Sequence, residues 1–202
     1  MSKEKHGNTP VRYNKEGSKN YIAKVLYNNY KKSLHDLIPK NDINNILEIG
    51  CGKGEILNFL DRKFDFELIG IDIEREIVKE ASDLYPNLII REESGLQSSF
   101  KTSNFDLVLV LEVLEHVNEY KKIILESKRV SKKYCIFSVP REPIWRILNI
   151  IRGSYISDFG NTPGHINHWS SKAFMKLLSK YFDIVNICTP LPWTMVLCKK
   201  NG

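Results

Sequence analysis

Residues Asn45 to Glu55 read Asn-Ile-Leu-Glu-Ile-Gly-Cys-Gly-Lys-Gly-Glu, a short apolar strand followed by a turn with three alternating glycines. Glycine has no Cβ atom, so it takes positive φ values without strain and lets a ligand approach the main chain closely. Such a turn between a strand and a helix is typical of the ligand-binding edge of a parallel sheet. The stretch therefore predicts a cofactor cradle at Gly50, Gly52 and Gly54.

Two acidic residues flank this turn in the predicted sheet. Glu48 lies two residues before the first glycine, and a second apolar strand, residues 68–71, ends at Asp72 ahead of a helical pattern over residues 74–84. Neighbouring strand ends share one crevice, in which a carboxylate after the second strand accepts hydrogen bonds from both ribose hydroxyls of an adenosine. The alternative for Asp72 is a helix N-cap, a position that aspartate also favours.

The order of elements predicts an α/β fold. Residues 21–38 have the apolar spacing of an amphipathic helix, with Ile22, Val25, Leu26, Leu34 and Leu37 on the apolar face. Strands are predicted at residues 46–49, 68–72, 88–91, 107–111, 134–139, 184–188 and 194–198, with helices between most of them. The last two strands are too close for a helical crossover and must form a hairpin. The pattern predicts a Rossmann-like doubly wound seven-stranded sheet, mostly parallel, with an antiparallel last strand and a C-terminal β-hairpin.

Composition fits one domain, residues 18–202, preceded by a flexible tail over residues 1–17. The chain has 202 residues, 42% of them hydrophobic, a formal net charge of +6 and a pI near 9.0. The charge allows a nucleic-acid partner, but no motif indicates one. The four cysteines form no CxxC pair, and no export or membrane-spanning segment is found, so the sequence predicts a cytoplasmic protein with reduced thiols.

A second group of chemically active side chains follows the strand that ends at residue 111. Glu112, Glu115 and His116 share roughly one face if this segment is helical. They would then line the reactive end of the cofactor pocket without a metal, or supply oxygen and nitrogen ligands to Mg²⁺ or Mn²⁺. The remaining alternative is a solvated first turn of a surface helix, where acidic residues are favoured.

A histidine-rich loop, residues 163–170, precedes a helix predicted at residues 171–180, for which Ser170 is the expected N-cap. Because the loop follows the fifth strand, it can fold over the same crevice, and we expect His165 in the pocket, with His168 as the second choice. The alternative is a histidine hydrogen-bonded within a loop. Residues 141–168 form an insertion with dense apolar side chains, predicted as a substrate lid; core packing and contact with a membrane surface are its alternatives.

The motifs together resemble a known family. Glu-x-Gly-x-Gly-x-Gly at residues 48–54, Gly-Ile-Asp at 70–72, Phe-Asp-Leu-Val at 105–108 and Leu-Glu-Val-Leu-Glu-His-Val at 111–117 are similar to class I S-adenosylmethionine-dependent methyltransferases, particularly those that methylate quinone precursors and other small molecules. The resemblance implies S-adenosylmethionine as cofactor. It implies that the glycine loop, including Cys51, contacts the methionine part, and that Glu48 holds the amino group. The further cofactor residues that it implies are Asp72 and Ile73 at the ribose, Glu92 (or Glu93 in a shifted register) at the adenine edge, and Glu112.

The function expected from this resemblance is in-line transfer of a methyl group to a small-molecule acceptor. His165 and His116 are the expected catalytic residues, and no metal is expected. One alternative is a metal-assisted RNA 2′-O-methyltransferase, with Glu112, Glu115 and His116 as ligands. Another is a protein that binds S-adenosylmethionine without catalysis. A nicotinamide dehydrogenase is disfavoured by Glu48 and by the terminal hairpin.

Overall fold

A computed structural model describes residues 21–151 and 153–201; the predicted tail, residues 1–17, lies outside this part of the chain. Seven strands form a single sheet in the order β3-β2-β1-β4-β5-β7-β6. Their bounds are β1 Asn45–Ile49, β2 Glu67–Asp72, β3 Ile89–Glu92, β4 Phe105–Leu111, β5 Ser131–Pro140, β6 Phe182–Cys188 and β7 Trp193–Lys200. Each strand coincides with a predicted one to within a few residues, because each is a short run of apolar side chains between polar turns.

Strand direction confirms the predicted fold class. Strands β1 to β5 pair in parallel, whereas β7 is antiparallel to both β5 and β6. The few residues between β6 and β7 leave no room for a crossover helix, so the chain must reverse there. The strand order changes direction between β1 and β4, and ligands of doubly wound sheets bind beside this switch point.

Helices cover both faces of the sheet. They are α1 Tyr21–Leu37, α2 Glu55–Asp61, α3 Arg75–Leu84, α4 Tyr120–Val130, α5 Ile144–Ile151 and α6 Ser171–Leu178. One buried cluster joins α1 and α2 to alternate residues of the central strands, and a second joins α4 and α6 to the residues between them. Because strand side chains alternate between faces and both faces are covered, the central strands β1 and β4 are mostly buried and apolar, with Glu48 of β1 as a buried acidic exception.

Helix α1 forms where predicted and buries Leu34 and Leu37 as expected, but tyrosines take the place of the other predicted apolar residues. Tyr27, Tyr30, Leu34 and Leu37 are its buried residues, whereas Ile22 and Val25 are exposed. The buried positions follow helical spacing once tyrosine is counted with the aliphatic residues. Its ring buries a large apolar area while its hydroxyl keeps a polar partner.

The insertion after β5 contains α5 and a 3₁₀ turn at Ile156–Asp158. Asn149 is buried and donates hydrogen bonds to Gly160 O and Thr162 Oγ1, which closes the insertion on itself. In the described part of the chain, no helix combines the length and apolar character needed to cross a membrane.

Candidate functional site

The glycine turn is built as predicted. Gly50, Gly52 and Gly54 have φ values of 73°, 54° and 76°. The N–H groups of Gly50 and Cys51 both donate to Ile71 O, at 2.8 and 3.0 Å, so the turn is tied to the end of β2. A Cβ atom on Gly50 would lie 2.5 Å from Val113 Cγ2. Glycine is therefore required there by both the backbone conformation and the space.

Asp72 is held against this turn. Its carboxylate accepts hydrogen bonds from Gly52 N at 2.9 Å and from Glu74 N at 3.1 Å, and its side chain is buried. Helix α3 begins after Glu74, so Asp72 is not the N-cap. A carboxylate has about four lone-pair directions, which leaves capacity for further donors such as a pair of hydroxyls.

A cavity of about 440 Å³ opens at the carboxyl ends of β1, β2 and β4. The predicted cofactor residues that line it are Glu48, Gly50, Cys51, Gly52, Asp72, Ile73 and Glu112, and the predicted catalytic residues His116 and His165 line it too. Cys51 is buried, and its Sγ atom fills the space next to Gly70, where a Cβ atom would lie 2.7 Å from it. One cavity thus contains most of the side chains predicted from the sequence.

Glu48 is an acidic group buried beside the glycine turn. Its side chain is 2% exposed, and Oε2 has no hydrogen-bond partner among the described residues. Burial raises the pKa of this carboxyl well above its usual range, and the negative charges of Asp72 and Glu55 raise it further. A cationic ligand group placed here would relieve both effects.

Two of the predicted cofactor residues do not line the cavity. The Gly54 position serves as the left-handed N-cap of α2 and faces Ile90 and Tyr85. Glu92, the last residue of β3, is exposed and lies 3.8 Å from Arg75. Its neighbour Glu93 lines the cavity instead. The shifted register is therefore the one that brings an acidic side chain to the pocket.

Glu112 has an unusual environment for a residue of a metal site. Its φ value is 60°, a left-handed conformation that residues other than glycine rarely adopt, so the segment is not helical at this point. Its carboxylate accepts hydrogen bonds from Trp193 Nε1 at 2.5 Å and from Ser138 Oγ at 3.3 Å. Ser138 in turn bonds the buried Tyr30 hydroxyl, and burial together with the charge of Glu112 raises the pKa of that phenol.

The structure brings together Glu115, His116 and His165, whereas the alternative metal set was Glu112, Glu115 and His116. Potential ligand atoms of the observed group lie within 4.8 Å of one another. The two imidazole rings are in edge contact, with centroids 4.8 Å apart, and Glu115 and His165 are buried. The 3₁₀ turn Leu114–His116 contains Glu115 and His116. Glu112 lies two residues before this turn, and in its left-handed conformation its carboxylate bonds Trp193 instead.

The histidine-rich loop separates the two predicted histidines. His165 lines the cavity, but His168 does not: its ring contacts Glu142 and Arg146. Burial and the charge of Arg146 lower the pKa of His168. Ser170 caps α6 as predicted, since its side chain accepts a hydrogen bond from Ala173 N at 3.3 Å.

Several aromatic and polar residues of the site were missed in the sequence. Tyr27 and Tyr30 reach the cavity from α1, and Trp145 and Thr162 reach it from the insertion. Trp145 Nε1 donates to Thr162 Oγ1 at 2.9 Å, and its ring centroid lies 5.7 Å from that of His165. Helical spacing of the tyrosines was an available signal. The position of Trp145 depends on how the insertion closes, which no local pattern indicates.

The fold is that of class I S-adenosylmethionine-dependent methyltransferases, and comparison with known proteins agrees. Residues 47–139 match the family described as "Methyltransferase domain". The predicted class is thereby confirmed, and with it the predicted cofactor.

Two individual relatives are methyltransferases by name. The chain is 31% identical over 99 residues to norajmaline N-methyltransferase of Rauvolfia serpentina, which covers 46% of this chain and 34% of the relative. It is 26% identical over 178 residues to the mitochondrial ubiquinone biosynthesis O-methyltransferase of Dictyostelium discoideum. This match covers 77% of this chain and 55% of that relative. The chain spans about half or less of the length of the curated relatives it matches.

Solved structures share the fold. Magnesium protoporphyrin IX methyltransferase from Synechocystis PCC 6803 with bound S-adenosylhomocysteine is 16% identical, with a TM-score of 0.68 over 92% of this chain and 90% of that chain.

Proposed function

We propose that this protein transfers the methyl group of S-adenosylmethionine to a small-molecule acceptor. The observation that carries the proposal is Glu48, a buried acid that lines the cavity beside a glycine turn and whose Oε2 has no hydrogen-bond partner among the described residues. S-adenosylmethionine carries an ammonium group and a sulfonium, so it suits a pocket in which burial and the negative charges of Asp72 and Glu55 raise the pKa of Glu48.

The donor would lie along the carboxyl ends of β1, β2 and β3. Its methionine part would contact Gly50, Cys51 and Gly52, with the amino group on Glu48. The ribose hydroxyls would bond Asp72, whose carboxylate is already oriented by two backbone N–H groups. Ile73 and Glu93 would contact the nucleoside beyond it.

The acceptor would bind at the other end of the cavity, among Tyr30, Trp145, His116 and His165. These rings offer an apolar, partly aromatic surface, and the insertion that carries Trp145 would cover it as a lid. The names of two relatives, which refer to norajmaline and to ubiquinone biosynthesis, support a small-molecule acceptor. The four cysteines, none of which forms a disulfide in the described part of the chain, support a cytoplasmic location.

The reaction is a displacement at carbon. A lone pair of the acceptor attacks the methyl carbon, the carbon–sulfur bond breaks with its electrons remaining on sulfur, and S-adenosylhomocysteine leaves. Alignment of the nucleophile with the breaking bond accounts for much of the rate, up to about 7 to 11 kcal/mol in ideal intramolecular systems. If the acceptor atom bears a proton, His165 would remove it, and the contact of its ring with that of His116 supports this role.

Replacing His165 tests the catalytic assignment. With labelled donor and a fractionated metabolite extract as the acceptor source, His165→Ala should lower turnover by about 10² to 10⁴. The affinity for S-adenosylhomocysteine, measured by calorimetry, should stay nearly unchanged. His168→Ala is the matched control, because His168 lies in the same loop but outside the cavity. Equal turnover of His165→Ala and wild type would refute the assignment.

A metal-assisted version of the same reaction is the second candidate. It is supported by the close approach of ligand atoms from Glu115, His116 and His165. Two imidazoles and a carboxylate suit Zn²⁺ or Fe²⁺ and bind Mg²⁺ or Mn²⁺ less readily. Calorimetric titration with Zn²⁺ and Mn²⁺ against His165→Ala and His168→Ala distinguishes the two versions. The metal version would be favoured if His165→Ala abolished metal binding, His168→Ala did not, and a chelator stopped turnover of the wild type. An RNA acceptor and a protein that only binds the donor have no such support, and donor binding without turnover of any fraction would identify the latter.

A further inference from the structure

The loop that carries His165 is fastened to the turn that carries Glu115 and His116. The N–H groups of Ile166 and Asn167 both donate to Glu115 O, at 2.9 and 3.1 Å. The side-chain amide of Asn167 donates to Leu114 O at 3.0 Å and to Val117 O at 2.9 Å. The two amide hydrogens of Asn167 thus bond the carbonyl groups directly before Glu115 and directly after His116.

These bonds cross a long gap in the chain. Asn167 and Leu114 are 53 residues apart, so local structure does not determine the distance between their segments. The Asn167 amide bonds a carbonyl at each end of the 3₁₀ turn: Leu114 O, which also accepts from Val117 N at 3.4 Å, and Val117 O just beyond it. A further contact, between His116 Nδ1 and Gly164 O at 3.0 Å, joins the same two segments.

We propose that Asn167 is a positioning residue for methyl transfer, whose amide sets the separation and orientation of the imidazoles of His116 and His165. The role of these imidazoles rests on the function proposed above. The positioning role of Asn167 is the same whether the imidazoles move a proton or bind a metal. Asn167 itself does not line the cavity, so it has no direct contact with donor or acceptor to lose.

Removing the amide should impair the reaction more than binding. In Asn167→Ala the turn and the loop lose two of the bonds that join them, and in Asn167→Asp a side chain of the same shape places oxygen against two carbonyl oxygens. A displacement of about 1 Å far from the reacting atoms is enough to lower a rate by about 100-fold. We expect turnover to fall about 10- to 100-fold in both variants. Affinity for S-adenosylhomocysteine should change by less than about twofold, because the donor residues follow other strands.

Asn45→Ala is the matched control. Asn45 also makes two hydrogen bonds, from Nδ2 to Asn104 O at 3.2 Å and from Asp106 N to its Oδ1 at 2.8 Å, but at the opposite edge of the sheet. Its replacement should lower stability without a selective effect on turnover or on the histidines.

The deciding measurement is the NMR spectrum of the imidazole nitrogens in ¹⁵N-histidine-labelled protein at a single pH, which requires no acceptor. In Asn167→Ala the resonances of His116 and His165 should shift, because the two segments that carry them lose two hydrogen bonds, whereas those of His35 in α1 should not. If this variant does not fold, Asn167→Gln, which retains both N–H donors on a longer side chain, is expected to fold and to shift the same resonances. Unchanged resonances of His116 and His165, or equal changes in Asn45→Ala, would overturn the positioning role. If wild type transfers no methyl group, the proposed function fails while these spectra still decide the role of Asn167.

Discussion

At the scale of single residues, the site is defined by carboxylates placed where water cannot stabilise them. Glu48 and Asp72 are both 2% exposed, but their surroundings differ. Two backbone N–H groups bond the carboxylate of Asp72, whereas burial raises the pKa of Glu48. Asp72 is therefore preorganised as an acceptor, and Glu48 is an acid whose charge is favourable only once a cation arrives.

The raised pKa of Glu48 predicts a specific dependence of stability on pH. The folded chain keeps this carboxyl protonated at pH values where the unfolded chain has ionised it. The unfolded chain therefore binds fewer protons, and the free energy of unfolding contributed by Glu48 falls as pH rises above the ordinary glutamate pKa. Glu48→Gln, which cannot ionise, should remove this fall. Without donor, it should therefore be more stable than wild type at pH 8.

Urea denaturation at pH 4 and pH 8 measures this difference. Glu67→Gln, the same substitution at an exposed glutamate at the opposite end of the strands, is the matched control variant. The same Glu48→Gln variant should bind S-adenosylmethionine more weakly than wild type. A variant that is less stable than wild type at pH 8 would contradict the assignment of a buried, ionisation-resistant carboxyl.

The sequence predicted individual site residues correctly where a motif specified both the residue type and its position in the fold. The glycines, Glu48 and Asp72 belong to one strand–turn–helix unit and its neighbour, so their spacing alone brings them together. The difference between Glu92 and Glu93 could not be resolved, because one residue of register at the end of β3 reverses the direction of a side chain. Asn167 was missed since its partners lie in a distant segment.

At the scale of elements, the turn between β1 and α2 sets the shape of the cavity floor. Gly50→Ala should lower the free energy of unfolding by about 1 to 3 kcal/mol, because alanine at positive φ is strained and its Cβ would lie 2.5 Å from Val113 Cγ2. Gly153→Ala provides a control with almost the same φ, 72°, and no atom within 4 Å of the added Cβ. Urea denaturation should show a larger loss for Gly50→Ala. Equal losses would mean that the contact with Val113 adds nothing.

The positions of helices and strands were predicted better than which side of each helix is buried. Runs of apolar residues between turns were enough to locate all seven strands, and the short connection to β7 was enough to reverse it. Helix α1 was located correctly, but its buried face was assigned from aliphatic residues alone. Tyr27 and Tyr30, which bring this helix to the cavity, were therefore overlooked.

At the scale of the whole molecule, donor binding should be coupled to folding, because the cavity lies between ends of several strands that are separated when the chain unfolds. S-adenosylhomocysteine at 100 times its dissociation constant should raise the free energy of unfolding by about 2.7 kcal/mol. In Asp72→Ala, the same concentration should stabilise far less, since the loss of hydrogen bonds to a buried ribose weakens binding by about 1 to 3 kcal/mol.

Thermal unfolding with increasing ligand concentration measures this coupling. NAD serves as the control ligand, because it shares the adenosine but lacks the methionine that Glu48 would bind. Greater stabilisation by NAD than by S-adenosylhomocysteine would contradict the assigned cofactor.

The reversed direction of β7 has an optical consequence. It brings the first residue of the strand, Trp193, to the same edge of the sheet as the cavity, where its indole N–H bonds the Glu112 carboxylate. Trp145 lines the cavity, whereas Trp169, the third tryptophan of the chain, packs on Tyr120 and Phe174 away from it. The emission of an indole depends on the charge and polarity around its ring. We therefore expect the emission of Trp145 and Trp193 to change when the site is occupied, and that of Trp169 to supply a constant background.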